Sequence, residues 1–262
     1  MVYQLQKNRP IAVFDSGVGG ISVLRELIRT MPDEDYIYYG DSKNAPYGVR
    51  GREEVRALTV ARAKELFDQG CKGLVVACNT ATSAAVRPLR ERYPYIPIVG
   101  IEPAVKPAVL SRKNPRVLVM ATPMTVREEK LKSLIERYQD QARIISLPCP
   151  GLMDFIERGD INGEDLYRYL TELLFAYRGG AVDAAVLGCT HYPFARKQIQ
   201  RVLGESVQIF DGGAGTAREM KRRLGESGLL RGEERKGEVV FENSLNTEEK
   251  EALCRKLLSL EL

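Results

Sequence analysis

The 262-residue sequence has no tryptophan, only one histidine and no Cys-x-x-Cys pair. Protein zinc sites are built mainly from closely spaced cysteines and histidines, so this inventory argues against a metal centre. The cysteines are odd in number and far apart in the chain: Cys71, Cys78, Cys149, Cys189 and Cys254. We therefore expect reduced thiols rather than a disulfide framework, and no bound metal.

The sequence also lacks long apolar runs and clustered charge of one sign. No stretch reaches the roughly 18 apolar residues of a transmembrane helix. The first residues, MVYQLQKNRPIAVFD, lack the charged-then-apolar layout of a secretory signal, so we expect a cytoplasmic protein. The net charge is +4, but basic and acidic residues are interleaved, as in RGEERKGE (231–238). This pattern is typical of a solvated surface, and neither a membrane nor a nucleic-acid partner is indicated.

Short apolar segments alternate with amphipathic, helix-like segments along the chain. The strand-like segments are IAVF (11–14), YIYY (36–39), LVVA (74–77), IPIV (96–99), RVLVM (116–120), RIISL (143–147), AAVL (184–187), VQIF (207–210) and EVVFE (238–242). Strands that are apolar on both faces and alternate with helices predict parallel sheets covered by helices. The predicted fold class is α/β.

The pattern is duplicated. LVVACNTAT (74–82) and AVLGCTHYP (185–193) share one plan, in which an apolar strand is followed by a small residue, a cysteine and a polar residue. IAVFDSGVGG (11–20) has a similar counterpart in VLVMATPMTV (117–126). We therefore predict two similar domains, each a mostly parallel sheet flanked by helices, with an active site in the cleft between them. The expected boundaries place residues 1–99 and 209–262 in one domain and residues 100–208 in the other.

Polar side chains follow the predicted strands at their carboxyl ends, where parallel α/β sheets bind ligands. They are Asp15, Ser16, the GDSKNAPYG loop (40–48), Cys78, Asn79, Thr80, Thr122, Cys189, Thr190 and His191. Small hydroxyls, an amide and backbone N–H groups at helix N-termini suit a small carboxylate ligand.

One cysteine in each half also suits a particular chemistry. Inversion of a carbon stereocentre without a cofactor needs a base on one face and an acid on the other, and a thiolate and a thiol can supply them. An unperturbed thiol has a pKa of about 8.5, which a helix N-terminus or a cationic neighbour lowers. We expect a helix N-terminus directly after each cysteine, with His191 assisting Cys189 and Asp15 assisting Cys78.

Four motifs in this order, FDSGVGG, GDSKNAPYG, ACNTATS and GCTHYPF, carry a family resemblance over essentially the full length. The chain resembles the cofactor-independent aspartate/glutamate racemase family, and in particular the bacterial glutamate racemases. The resemblance implies interconversion of L- and D-glutamate, which supplies D-glutamate for peptidoglycan in the cytoplasm. It also implies that no cofactor is used and that the enzyme is a homodimer.

The resemblance assigns residues as well. It implies that Cys78 acts on the D-isomer and Cys189 on the L-isomer, with Glu102 in GIEPAV as a helper. The implied substrate contacts are Asp15, Ser16, Tyr47, Gly48, Asn79, Thr80, Thr190 and His191. The other three cysteines match no catalytic motif and are expected to be structural. The segment GLMDFIERG (151–159) departs from the more Val- and Pro-rich stretch expected in the family.

Other functions stay open at this stage. Within the superfamily, a thiol pair also serves aspartate or hydantoin racemases, maleate isomerases and decarboxylases. A ligand-binding module with packing cysteines and a thiol hydrolase built on Cys189 and His191 are alternatives from other classes. The hydrolase pair is expected to be poor, because residues two apart at a helix start do not face each other. We also expect His191 to line a solvent-filled cleft and to contribute little packing.

Overall fold

The computed structural model describes residues 6–232 and 235–260. The chain forms two compact units, one comprising the residues up to Glu102 together with Gly213–Ser259, and the other Pro103–Gly212. Each unit contains one parallel β-sheet. The predicted α/β class with two similar domains is confirmed.

The strands follow the apolar segments closely, with shifts of one or two residues. They are β1 (Ile11–Asp15), β2 (Tyr36–Gly40), β3 (Gly73–Val76), β4 (Ile98–Gly100), β5 (Arg116–Ala121), β6 (Arg143–Pro148), β7 (Ala184–Leu187), β8 (Gln208–Asp211) and β9 (Val239–Asn243). The helices are α1 (Ile21–Thr30), α2 (Arg52–Asp68), α3 (Asn79–Arg92), α4 (Val105–Val109), α5 (Pro123–Arg127), α6 (Glu129–Glu136), α7 (Leu152–Glu157), α8 (Glu164–Leu173), α9 (Arg196–Leu203), α10 (Gly213–Glu226) and α11 (Glu248–Ser259). None of the helices in the described ranges is both long and apolar enough to cross a membrane.

The sheet of the first unit has the strand order β4-β3-β1-β2-β9. Every residue of the central strand β1 is buried, because strands on both sides and helices cover it. One apolar core joins β1 and β3 to α2 and α3, with Phe14, Leu66 and Leu74 among its buried side chains. The loops that follow β1, β2 and β3 therefore begin at strands that are packed in the core.

The sheet of the second unit has the strand order β6-β5-β7-β8. Its order along the chain matches that of β1–β4 in the first sheet, which confirms the duplicated pattern. The match extends to single hydrogen bonds: the Ala77 N–H donates to the Phe14 carbonyl, and the Gly188 N–H donates to the Met120 carbonyl, both at 2.7 Å. Strand β9 is an addition to the first sheet, where it pairs with β2.

The unit boundaries differ by a few residues from those expected at 99/100 and 208/209. Strand β8 pairs with β7 through Asp211, so the chain leaves the second sheet only after that residue. The first crossing follows Glu102, because the Ile101 N–H still donates to the carbonyl of Val76 in the first sheet.

Candidate active site

Cys78 lies between the end of β3 and the start of α3. It is the N-cap residue of this 14-residue helix, and its Sγ accepts a hydrogen bond from the Ala81 N–H at 3.5 Å. A helix N-terminus carries a partial positive charge and exposes N–H donors, both of which stabilise a thiolate. The helix expected directly after Cys78 is therefore present.

Asn79 and Thr80 form the first turn of α3 and are both buried. Among the described residues, the Oδ1 atom of Asn79 has no hydrogen-bond partner. A buried amide oxygen without a partner is costly, because it has lost water and gained no donor. Asn79 Oδ1 can therefore serve as an acceptor for an N–H group of a ligand beside Cys78.

Asp15 ends β1 and is fully buried. Its Oδ1 accepts the Gly17 N–H at 3.0 Å, and the Tyr38 hydroxyl donates to the Gly17 carbonyl at 2.7 Å. A Cβ atom on Gly20 would lie 2.6 Å from the Asp15 Cβ, so only glycine fits at that position. Asp15 and the neighbouring Ser16, also buried, thus sit in a tightly defined loop.

The loop after β2 is organised by the buried carboxylate of Asp41. It accepts hydrogen bonds from the Tyr47 hydroxyl at 2.7 Å and from the Asn44 amide at 3.0 Å. Burial, followed by the hydrogen bond to Asp41, raises the pKa of Tyr47, and the negative charge of the Cys78 thiolate adds to the rise. Tyr47 is therefore a neutral donor, and the loop holds it and the buried Gly48 in the neighbourhood of Cys78.

Cys189 follows β7 in the position equivalent to that of Cys78 after β3, but the chain after Cys189 has a different local structure. Cys189, Thr190 and His191 form a bend and turn, and a short 3₁₀ helix (Tyr192–Ala195) separates them from α9. The helix N-terminus expected directly after Cys189 is therefore absent from this position, and that prediction was wrong. Cys189 depends on other neighbours.

Those neighbours are His191 and Glu157. The Sγ of Cys189 lies 3.6 Å from His191 Nδ1, and His191 Nε2 lies 2.9 Å from Glu157 Oε1. The expectation that Cys189 and His191 would not face each other was wrong, because they lie in a turn rather than on a helix. The expectation of a solvent-filled setting for His191 was also wrong, since the residue is only 1% exposed.

The charge state of His191 follows from these contacts. Burial by itself would lower its pKa, but the hydrogen bonds to Cys189 and Glu157 outweigh burial and raise the pKa well above 6.5. The contacts on both sides of the imidazole, to the Cys189 sulfur and the Glu157 carboxylate, therefore favour its protonated form. Such a cation stabilises the anion that forms when a neighbouring thiol loses its proton.

Glu157 was missed by the sequence reasoning, which chose Glu102 as the helper. Glu102 is exposed, and its charge acts on Arg90 of α3. Glu157 ends α7, within the segment that departs from the family pattern, and sits 34 residues before His191. Nothing in the local sequence marks it, because its role depends on how α7 packs against the turn after β7.

The remaining cysteines have different surroundings. Burial raises the pKa of Cys71 and of Cys149 to about 12, so both are protonated at neutral pH. Cys254 is buried in α11. These environments suit a packing role for all three. Over residues 6–232 and 235–260, no group of three or more His, Cys, Asp or Glu side chains is arranged to hold a metal ion.

Two α/β units, each with a cysteine after its third strand, agree with the racemase class that the sequence motifs predict. The model of the Asp/Glu/Hydantoin racemase family matches residues 12–220, and the chain belongs to this family. A curated relative, glutamate racemase of Clostridium botulinum (strain Alaska E43 / Type E3), is 49% identical over 253 residues, which cover 97% of this chain and 98% of the relative.

Solved structures agree with this assignment. Glutamate racemase of Francisella tularensis, in complex with D-glutamate, has a TM-score of 0.83 and 29% identity, covering 98% of this chain and 95% of the other. Escherichia coli glutamate racemase, in complex with L-glutamate and the activator UDP-MurNAc-Ala, has a TM-score of 0.81 and 30% identity, covering 95% and 92%.

Proposed function

We propose that the chain interconverts L- and D-glutamate, with Cys78 and Cys189 as the two acid/base residues and without a metal or organic cofactor. The observation that carries the proposal is that each of the two thiols has a neighbouring group that can stabilise its thiolate. Cys78 caps the N-terminus of α3, and Cys189 lies beside an imidazole whose pKa is raised, which favours its protonated form. The names of the relatives, and the glutamate isomers bound in two related structures, support glutamate as the substrate.

In the proposed reaction, the Cys189 thiolate removes the α-proton of L-glutamate and becomes a thiol. The Cys78 thiol then donates its proton to the opposite face of the α-carbon and becomes a thiolate. The product is D-glutamate, and the enzyme is left ready for the reverse reaction. Every proton removed is held by one sulfur and every proton added comes from the other, so no further reactant is needed.

The substrate contacts are proposed to come from both repeats. Asp15 and the acceptor Oδ1 of Asn79 suit the ammonium group, and the hydroxyls of Ser16, Thr80 and Thr190 suit carboxylate oxygens. Tyr47 and Gly48 are held by the Asp41 network, and His191 supplies positive charge. The helper carboxylate is assigned to Glu157 instead of Glu102, because Glu157 is hydrogen-bonded to His191.

A thiol hydrolase is favoured by one observation, the Cys189–His191–Glu157 array. A thiol hydrolase and the proposed racemase would both use a thiolate beside an imidazolium, so the raised pKa of His191 favours neither over the other. The second thiol distinguishes them, because hydrolysis needs one nucleophilic cysteine, whereas racemisation needs a second acid/base group such as Cys78 at the N-terminus of α3.

The test is circular dichroism on L-glutamate and L-aspartate, with enzyme treated with EDTA and freed of pyridoxal phosphate. We expect racemisation of glutamate and none, or much less, of aspartate. Cys78→Ala and Cys189→Ala should each abolish racemisation in both directions, while the matched controls Cys71→Ala and Cys254→Ala keep it. Activity that requires an added metal, or either active-site variant with near wild-type turnover, would overturn the mechanism; a preference for aspartate would overturn the substrate.

The proposal extends to the setting of the reaction. We propose that the enzyme works in the cytoplasm as a homodimer and that its D-glutamate feeds peptidoglycan precursor synthesis. These parts rest on the resemblance of the four sequence motifs to bacterial glutamate racemases. Light scattering of the purified protein checks the dimer, and D-glutamate auxotrophy of a deletion strain checks the role in the cell wall.

A further inference from the structure

The loop after β2 is hydrogen-bonded to the turn after β9. The Asn243 amide donates to the Ser42 hydroxyl at 2.9 Å, and the Lys43 N–H donates to the Ser244 hydroxyl at 2.8 Å. A third bond, from the Ser244 N–H to the Gly40 carbonyl at 3.0 Å, continues the pairing of β2 with β9. The turn thus contacts the loop at its first residues.

The first residues of the loop adjoin Asp41 in the sequence. Asp41 stands beside Ser42, and its carboxylate fixes Asn44 and Tyr47. Asp41 is buried, but Ser42 is half-buried and Lys43 is exposed. The buried part of the loop is therefore held by Asp41, while its outer edge is held by the two side chains of the β9 turn.

Asn243 is itself held in place for this contact. Its Oδ1 accepts the Leu245 N–H at 3.0 Å, and its carbonyl accepts the Asn246 N–H at 2.9 Å. The turn is therefore closed on itself, with the Asn243 amide N–H group directed at Ser42. Because the hydrogen bond to Leu245 fixes the orientation of the Asn243 side chain, Asn243 can hold Ser42 in one position, which a freely rotating side chain could not do.

We propose that Asn243 and Ser244 are positioning residues for substrate binding, which hold the Ser42–Gly48 loop in the conformation that binds substrate. The inference rests on the proposed function, because it takes Tyr47 and Gly48 as substrate contacts. The inference gives β9 a role in the active site. This strand is the one that the first sheet has and the four-stranded second sheet lacks.

The expected kinetic signature is specific. The loop contacts the substrate rather than either reacting proton, so loosening it weakens binding of both enantiomers equally. A hydrogen bond is worth about 1 kcal/mol, so Asn243→Ala and Ser244→Ala should each raise KM about 5-fold in both directions, with kcat changed less than 2-fold. Ser244→Thr keeps the acceptor oxygen and should retain the wild-type KM.

The matched control is Arg255→Ala. Arg255 packs on the Phe241 ring of β9 and pairs with Glu251, so its loss disturbs the same C-terminal segment without touching the loop. We expect lower thermal stability and an unchanged KM. The double variant Ser42→Ala/Asn243→Ala should match the worse of its two single variants, because both remove the same hydrogen bond.

Limited trypsin digestion gives a readout that does not depend on activity. Lys43 is exposed, and its backbone N–H is one of the tied groups. Cleavage after Lys43 should be faster in Ser244→Ala than in wild type, and unchanged in Ser244→Thr and Arg255→Ala. Unchanged KM and unchanged cleavage in Asn243→Ala and Ser244→Ala would overturn the inference. A wild-type chain that does not racemise glutamate would overturn the proposed function instead.

Discussion

Replacing Glu157 by glutamine tests whether the charge of this carboxylate stabilises the protonated form of His191 beside Cys189. The substitution keeps the size of the side chain and a hydrogen-bond acceptor for His191 Nε2, but removes the negative charge. Glu157 is mostly buried and His191 almost wholly, so solvent screens their interaction weakly. The imidazolium would then lack its carboxylate partner in a buried setting.

The size and sign of the effect follow from the geometry. A hydrogen bond between charged groups contributes about 1.5–3 kcal/mol and a neutral one about 1 kcal/mol, so Glu157→Gln should reduce the free energy of unfolding by about 0.5–2 kcal/mol. The folded-state pKa of His191 lies above the unfolded value of 6.5. The stabilisation is therefore fully present below pH 6.5 and is lost as the pH rises through the raised folded-state pKa.

Urea unfolding of wild type and variant from pH 5.5 to pH 9.5 measures this difference. The control is Asp165→Asn, which removes an exposed ion pair with Arg168 and should change stability by less than about 0.5 kcal/mol. In the proposed mechanism, Glu157→Gln also lowers kcat more for L-glutamate than for D-glutamate, while the ratio of the two kcat/KM values stays fixed by the overall equilibrium. A stability difference independent of pH, together with equal kcat losses in the two directions, would refute the reasoning.

Two further substitutions test the support of the first unit. Gly20→Ala places a Cβ 2.6 Å from that of Asp15, so we expect turnover at least 10-fold lower with a displaced loop, measured by racemisation and by a crystal structure. Lys72→Met leaves the carboxylate of Glu34 buried without its ionic partner, so we expect about 3–5 kcal/mol lower stability in urea with KM unchanged. The exposed pair of Lys64 provides the control, since Lys64→Met should be nearly neutral.

The fold could be predicted because its signals are local. Most strands are short apolar runs, and the central strands β1, β3 and β7 are buried along their whole length, which is why both of their faces are apolar in the sequence. The placement of Cys78 and Cys189 after β3 and β7 followed from the same runs. The exact ends of strands were less predictable: β4 begins at Ile98 and not Ile96, since pairing with β3 determines where it starts.

The surroundings of the second thiol could not be predicted, because they depend on turns and packing. Whether Cys189 and His191 face each other is decided by the backbone between them, which forms a turn before a 3₁₀ helix. The identity of the carboxylate beside His191 depends on α7, a six-residue helix with little periodic signal. Glu102, which the motif position indicates, is exposed, and its charge acts on Arg90.

The internal repeat shows which residues differ around the two cysteines. The equivalent hydrogen bonds of Ala77 and Gly188 align the two repeats residue by residue. In this alignment, Thr80 of the first repeat corresponds to His191 of the second, and Asp15 corresponds to Ala121. The first repeat therefore has a carboxylate at the end of its first strand, and the second has an imidazole two residues after its cysteine, paired with Glu157. The two thiols of the proposed reaction thus have different neighbours, although they occupy equivalent positions in the repeat.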